Sequence, residues 1–348
     1  GGRPRALAAW LVVWGHLFSV YPALQGVELP AVAWVQHQVN TPLGITQDFG
    51  WFGVCLFFLI SGYVITHVAR RESPVEFAVK RVFRIFPMLA LTVLFAVLLE
   101  PGPRLAATPA TVLTNVLLVN YWIHPQVVLV GVAWTLAVEV LFYALMLASH
   151  PLARWPVLRL LALDAVVALV LVNAREFGAD FFLFAASAAY LPYLLCGQVL
   201  YLLLHAKAIR PALAAALGAV TYAVMLIGLQ DIHTDHLPLD RSYLVSFAWA
   251  TVLFVLAAAV GDRLRAGRVT RLLAESSYGL YLLHGSVGFA LLDAISPRIG
   301  LVPALLLAVP VVLAVVLAVH VGFEKPVLKL GRRVARRLAR AAPTVGSR

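Results

Sequence analysis

The chain alternates long apolar runs with short polar stretches. Ten of the runs are close to the ~20 residues that an α-helix needs to cross the hydrocarbon core of a bilayer. The pattern therefore predicts an all-α fold, a polytopic bundle of about ten transmembrane helices. The predicted spans are residues 6–24, 50–68, 85–99, 130–149, 157–173, 181–204, 212–229, 243–260, 277–296 and 301–322.

Composition supports this class and excludes others. Hydrophobic residues make up 62% of the 348 residues and charged residues only 12%, and the mean hydropathy is +0.91. Soluble domains carry about a quarter charged residues, so a soluble enzyme and a disordered chain are both excluded. The two cysteines, Cys55 and Cys196, lie in apolar runs and indicate small buried side chains rather than a disulfide scaffold.

The basic residues predict the orientation of the bundle. With the N-terminus inside, cytoplasmic segments hold all of the 27 Lys and Arg residues except Arg104, Arg175, Arg241 and Arg298. Cytoplasmic loops of membrane proteins show this excess, so both termini are expected in the cytoplasm. Topology thus accounts for the net charge of +11, and no nucleic-acid partner is expected.

Two segments outside the ten spans need separate interpretation. Residues 110–127 are apolar, but counting them as a span would invert every later loop, so we expect a re-entrant or interfacial helix with Tyr121 and Trp122 at headgroup depth. Residues 1–330 are expected to form one transmembrane domain. Residues 331–348 are expected to form a basic cytoplasmic tail on the anionic leaflet, where each Lys or Arg contributes about 1 kcal/mol.

Ionisable residues inside the spans are the candidates for function. His16, Glu139 and His284 lie near the middle of their spans, where a charge costs at least roughly 2.5–3.5 kcal/mol. Their similar depth predicts one buried polar site. Each histidine could equally serve as a hydrogen-bonding link between helices. Asp164, near the end of its span, is interpreted as structural.

A basic cluster between the second and third spans is a further candidate site. Arg81 and Arg84 are three residues apart, so both lie on one helical face. Guanidinium groups bind phosphate oxygens in a bidentate manner, so the pair suits a phosphate clamp. On the spacing alone, plain topology signalling and contact with lipid headgroups are the favoured interpretations of the pair.

Six motifs in order carry a resemblance to a known family. Arg5 and His16 are separated by ten residues in the first span, and the other five motifs are FFLISGYVI (57–65), KRVFRIFP (80–87), GVAWTLAVEVLFY (131–143), SYGLYLLHGSV (277–287) and FEKP (323–326). The chain thereby resembles the integral-membrane acyltransferase family 3, the O-acetyltransferases of bacterial surface polysaccharides and some secreted metabolites. Thr135 stands where serine is commoner in that family.

The resemblance implies transfer of an acyl group, acetyl above all, from cytoplasmic acyl-CoA to a hydroxyl on the outer side of a bacterial cytoplasmic membrane. It implies no permanently bound cofactor. In this chain it gives four residues to acyl-CoA binding: Arg5, Arg81, Arg84 and Ser61.

The resemblance also assigns the catalytic and substrate-binding groups. His16 is the catalytic candidate, either as general base or as a nucleophile that carries the acyl group. Glu139 is expected to orient His16 as the carboxylate does in a triad. Tyr281 and His284 are expected to bind substrate.

The acceptor is expected to be a carbohydrate, with surface polysaccharide or lipid-linked glycan ahead of a macrolide-type metabolite sugar. A rim for it is predicted on the outer side, formed by Trp34, Gln36, His37, His233, Asp235 and His236. The spacing of its His and Asp residues matches no metal motif, so no metal is expected. The resemblance also allows a separate extracytoplasmic transferase as partner. A transporter or flippase and a structural scaffold are the rival functions.

Overall fold

A computed structural model describes residues 3–232, 241–260 and 267–341, and these are helical with no strand. The predicted all-α bundle is confirmed. Its helices are α1 (Pro4–Leu24), α2 (Gly50–Ala69), α3 (Pro74–Leu99), α4 (Trp134–Ala148), α5 (Pro156–Val172), α6 (Ala179–His205), α7 (Pro211–Asp231), α8 (Arg241–Val260), α9 (Ser277–Ile299), α10 (Leu301–Val319) and α11 (Lys325–Ala341).

The spans agree with the apolar pattern. Among the described residues, nine helices are long and apolar enough to cross a membrane. The remaining predicted span is α5, an apolar helix of 17 residues. The largest difference is at α3, which begins at Pro74 rather than at residue 85, because Ser73 caps the helix by accepting from the Glu76 amide.

Residues 110–127 do not span the bundle. They form an eight-residue helix, Pro109–Val116, and a short 3₁₀ turn, Val119–Trp122. The side chain of Tyr121 is buried against the protein and its hydroxyl donates to the Val130 carbonyl at 3.0 Å, while its expected headgroup depth stays a prediction. The protein interior satisfies this polar group.

Helix α1 packs between α2 and α9 with close backbone approach on both sides. A Cβ at Gly53 of α2 would lie 2.9 Å from the Ala8 carbonyl oxygen, and one at Gly288 of α9 would lie 2.7 Å from Leu17. Midway along α1, Gly15–Val20 forms a π-helical turn. Such turns are rare and are frequent at functional sites.

Other contacts fix the surrounding helices. A Cβ at Gly62 would overlap the backbone of Leu194, so α2 and α6 cross at van der Waals distance. Asp164 is buried in α5 and accepts from Thr221 of α7 at 2.9 Å, which links these two helices.

The basic C-terminal helix continues the last span through a π-helical turn, His320–Glu324. It packs along α3, since Gly331 lies against Phe83 and Ala335 is fully buried. No break occurs at residue 330, and a division of the chain there stays a prediction. The tail helix and the first turns of α3 together frame one end of the bundle.

Candidate functional site

The two mid-membrane histidines are in direct contact. His16 Nδ1 lies 2.7 Å from His284 Nε2, and the rings are stacked with centroids 5.0 Å apart. The π-helical turn of α1 carries His16, and Gly288 lets α1 approach α9 one turn beyond His284. The two spans thereby bring together residues 268 positions apart.

A second hydrogen bond fixes the tautomers of this pair. His284 Nδ1 lies 3.0 Å from the Leu280 carbonyl oxygen, which can only accept, so His284 carries its proton on Nδ1. Its Nε2 is then an acceptor, and His16 must donate through Nδ1–H. The lone pair of His16 is therefore on Nε2, the nitrogen that a general base or nucleophile requires.

Exposure divides the roles of the two rings. His284 is completely buried, whereas His16 is half-buried. Of the two rings, only that of His16 is partly exposed in this arrangement. His284 contacts His16 in the structure, and its expected role in binding substrate stays a prediction.

Glu139 does not occupy the position expected for a triad carboxylate. It is buried on α4 and accepts a hydrogen bond from Ser61 Oγ at 3.0 Å. His284 instead takes the place beside His16. Glu139 lies within electrostatic range of Arg5 and Arg84, so it acts as their counter-charge.

Arg5, Arg81 and Arg84 lie at one end of the bundle, which we name the basic end. A narrow cleft lies at this end. Both Arg5 and Arg84 line it. The other lining residues are Ala8, Ala9, Phe57, Ser277, Tyr278 and Tyr281. Small residues of α1 keep the cleft open on one side, and aromatic rings close it on the other. Of its lining residues, Tyr281 lies one helical turn before His284, with ring centroids 6.3 Å apart.

The arginines do not act as the neighbouring pair that their spacing suggests. Arg84 faces the cleft and its Cζ lies 5.1 Å from the Tyr278 ring centroid. Arg81 is turned toward Glu72, at 4.0 Å, and contacts the rings of Phe77 and Tyr143. The cationic pair of the cleft is therefore Arg5 with Arg84.

Several buried polar atoms around the arginines have no hydrogen-bond partner among the described residues. They include the Tyr278 hydroxyl, which lines the cleft, and, outside its lining, the Tyr143 hydroxyl, Arg81 Nε and Glu72 Oε2. Most buried polar atoms in proteins are paired. The Tyr278 hydroxyl is therefore a donor that a polar anionic ligand in the cleft would complete.

Tyr281 is held in place by the protein. Its hydroxyl lies 2.8 Å from Thr135 Oγ1 and 3.2 Å from the Val132 carbonyl oxygen, and its ring stacks on Phe57. Only the ring is left to face a ligand in the cleft. Thr135 thus supplies the hydroxyl contact that a serine would supply.

A third buried histidine was missed by the sequence analysis. His320 Nδ1 lies 2.6 Å from Glu324 Oε2, and both side chains are buried. Glu324 also lies within electrostatic range of Arg84. The FEKP motif and the four-residue spacing could have pointed to this pair.

The predicted outer rim is only partly described. Trp34 is 62% exposed, His37 is exposed, and Gln36 accepts from Asn40 Nδ2 at 2.9 Å. His233, Asp235 and His236 lie outside the described residues. Within those that are described, no group of three or more His, Cys, Asp or Glu residues could hold a metal ion.

Comparison with known proteins gives one family and two relatives. The acyltransferase 3 family model, described as an acyltransferase domain, matches residues 5–321. "Exopolysaccharide production protein ExoZ" of Rhizobium meliloti (strain 1021) is 30% identical over 308 residues, covering 81% of this chain and 91% of that protein. "Acyltransferase MdmB" of Streptomyces mycarofaciens is 26% identical over 335 residues, covering 85% and 86%. No solved structure gives a significant match.

Proposed function

Since the chain belongs to the acyltransferase 3 family, we propose that this membrane acyltransferase moves an acyl group from acyl-CoA to a carbohydrate hydroxyl. The observation that carries the proposal is the hydrogen bond from His16 Nδ1 to His284 Nε2. It leaves His16 Nε2 unprotonated on a half-buried ring. Acyl transfer to an alcohol needs such a nitrogen.

The basic end suits the donor. The phosphates of acyl-CoA are anionic, and Arg5 and Arg84 offer two guanidinium groups at the cleft. Along α1, the eleven-residue step from Arg5 to His16 spans about 16 Å at 1.5 Å per residue. An extended pantetheine arm covers a comparable length, so phosphates held at the arginines place the thioester near His16.

One nitrogen performs the chemistry. His16 Nε2 removes the proton of the acceptor hydroxyl while the hydroxyl oxygen attacks the thioester carbonyl carbon. The carbon–sulfur bond then breaks, and the departing CoA thiolate takes the proton back from His16 Nε2. In a covalent variant the same nitrogen attacks the thioester, the carbon–sulfur bond breaks, and CoA departs as a thiolate. The acceptor oxygen then attacks the acyl-imidazolium, its proton passes to the CoA thiolate, and the bond from the acyl carbon to Nε2 breaks to regenerate neutral His16. Both routes require the tautomer that His284 imposes.

Neighbouring groups position the reacting ones. His284 accepts from His16 Nδ1–H throughout, which stabilises the imidazolium formed at His16. Glu139 and Ser61 form a hydrogen-bonded pair on α4 and α2 that balances the charges of Arg5 and Arg84. Glu139 and Ser61 thus have positioning roles, because each is hydrogen-bonded to the other and not to His16.

A surface polysaccharide of a bacterium is the acceptor that the comparisons favour, since the relative at 30% identity is described as an exopolysaccharide production protein. We place the protein in the cytoplasmic membrane, with the basic end facing the cytoplasm. The excess of Lys and Arg at that side supports this orientation. Donor and acceptor then reach His16 from opposite sides.

Purified protein in nanodiscs tests the proposal through CoA binding and thiol release from acetyl-CoA. Wild type should bind CoA and release thiol. His16→Ala should bind CoA and release none, while the control His150→Ala, at an exposed position between α4 and α5, should resemble wild type. A folded wild type that neither binds CoA nor releases thiol would contradict the proposal and favour a carrier.

A further inference from the structure

A second polar network lies at the end of the bundle opposite the arginines, one helical turn beyond His16. Ser19, in the same π-helical turn as His16, donates to Asp48 Oδ2. Asp48 Oδ1 accepts from Asn40 Nδ2 at 3.1 Å, and the same amide donates to Gln36 at 2.9 Å. The network therefore joins α1 to the segment that precedes α2.

The backbone that carries Asp48 is strained. Gln47, Asp48 and Phe49 have φ values of 56°, 44° and 67°, and three consecutive left-handed residues without glycine are unfavourable. Packing holds them: Gln47 Nε2 donates to the Tyr243 hydroxyl at 2.9 Å. Such strain persists where the surrounding structure fixes it, and it concentrates at functional sites.

The strained turn is pressed against the residue before His16. A Cβ at Gly15 would lie 3.2 Å from Gly50 Cα and 3.6 Å from the Gln47 carbonyl oxygen. A side chain at position 15 would therefore require the turn to shift by a few tenths of an ångström. This packing places Asp48 beside Ser19, one helical turn beyond His16. Asp48 is half-buried.

The network lacks a donor. Asn40 is completely buried, and its Oδ1 accepts no hydrogen bond from the described residues. The amide cannot be turned round, because Asp48 only accepts and Nδ2 must face it. A buried carbonyl oxygen without a donor is costly, so the site requires a group from outside the chain that donates.

Other side chains at this end of the bundle also favour a ligand that donates hydrogen bonds. Asp293 accepts from the Tyr21 hydroxyl at 2.8 Å, and Glu100 interacts with Ser286, two residues after His284. Carboxylates repel an anionic ligand and accept hydrogen bonds from hydroxyl groups. The chemistry selects a neutral polyhydroxylated molecule and excludes the anionic donor.

We propose that the Ser19–Asp48–Asn40 network is the acceptor subsite, in which Asp48 and Asn40 Oδ1 bind neighbouring hydroxyls of a neutral sugar. A further hydroxyl of the sugar is then presented to His16 Nε2. The inference rests on the proposed function and deepens it, because it names the acceptor class and the residues that hold it.

Steady-state kinetics of Asp48→Asn test the subsite, with acetyl-CoA as donor and methyl β-D-glucoside and methyl β-D-galactoside as probes. The substitution keeps the size of the side chain and an acceptor for Ser19 but removes the charge. The KM of the better sugar should rise roughly 10- to 100-fold, the loss expected for hydrogen bonds to a charged group. CoA binding and the KM of acetyl-CoA should stay within about twofold.

Asp180→Asn is the matched control. Asp180 is a carboxylate at the first turn of α6 that accepts from the His124 amide and lies outside the network. Its sugar KM should equal that of wild type. If Asp48→Asn also alters CoA binding, Ser19→Ala replaces it as the test, since it removes only the hydroxyl that donates to Asp48 and should raise the sugar KM alone.

The outcomes separate the subsite from the proposed function. A wild type without CoA binding or thiol release removes the proposed function itself. A wild type that releases thiol but acylates neither glycoside overturns the sugar subsite. An unchanged sugar KM in Asp48→Asn, with activity otherwise intact, overturns the role of Asp48.

Discussion

Replacement of His284 tests the tautomer argument most sharply. His284→Leu conserves much of the volume of a fully buried side chain and removes the acceptor for His16 Nδ1–H. His284→Gln keeps a carbonyl oxygen that can accept the same hydrogen bond. The two variants differ in hydrogen bonding more than in packing, so a difference in activity reports on the His16–His284 contact.

The size of the effect follows from the hydrogen bond that is lost. Leaving a buried donor unpaired costs about 1–3 kcal/mol. His16 can avoid this cost by moving its proton to Nε2, the nitrogen that faces substrate, and is then inactive as a base. With 1.36 kcal/mol per tenfold change in rate, kcat should fall roughly 5- to 150-fold in His284→Leu and much less in His284→Gln.

Thiol release from saturating acetyl-CoA, with a methyl glycoside as acceptor, measures kcat directly. CoA binding serves as the control for folding, because His284 does not line the cleft of Arg5 and Arg84. Equal kcat for wild type and His284→Leu would refute the reasoning. Equal losses in the Leu and Gln variants would show that packing, not the acceptor, matters.

Three further predictions concern the surroundings of the histidine pair. In the same assay, Arg84→Ala should raise the KM of acetyl-CoA roughly 10- to 100-fold. Arg81→Ala should raise this KM much less, because Arg81 faces Glu72. Equal effects of the two substitutions would contradict the assignment of the cleft to acyl-CoA. Glu139→Gln should lower Tm by removing the counter-charge, and added CoA should restore part of the loss by supplying anionic phosphates; a Tm unaffected by CoA would argue against this. Gly62→Ala should lower stability by about 1–3 kcal/mol or more through overpacking against α6, whereas Gly285→Ala, with open space at its Cβ, should leave Tm unchanged; similar Tm values would contradict the packing.

The spans were predictable because the length of each apolar run gives the length of the helix that crosses the bilayer. The ends of α5 and α9 fall within a few residues of expectation. The start of α3 was not predictable from hydropathy, since the amphipathic turns from Pro74 onward carry Lys and Arg and have the hydropathy of a loop. The cap at Ser73 was the local feature that could have placed it.

The members of the site were easier to predict than their contacts. Depth in the membrane selected His16, Glu139 and His284, because each is costly in a bilayer. Which of them meet depends on how α1, α4 and α9 cross, and helical periodicity within one span does not determine that. In the structure it is His284, and not Glu139, that forms a hydrogen bond with His16.

Local spacing also misled or was silent elsewhere. Arg81 and Arg84 share a helical face by spacing, yet neighbouring aromatic rings and Glu72 turn Arg81 away from the cleft. The left-handed turn Gln47–Phe49 contains no glycine or asparagine, the residues that usually mark such turns. Only tertiary contacts, such as that of Gly15 with Gly50, impose it.

Transfer of radiolabelled acetyl from acetyl-CoA to methyl β-D-glucoside or methyl β-D-galactoside, with CoA thiol counted in parallel, tests the central claim most directly. Wild type in nanodiscs should yield one labelled ester for each thiol above hydrolysis. His16→Ala should yield neither while retaining CoA affinity. Undiminished ester formation by His16→Ala would contradict the account.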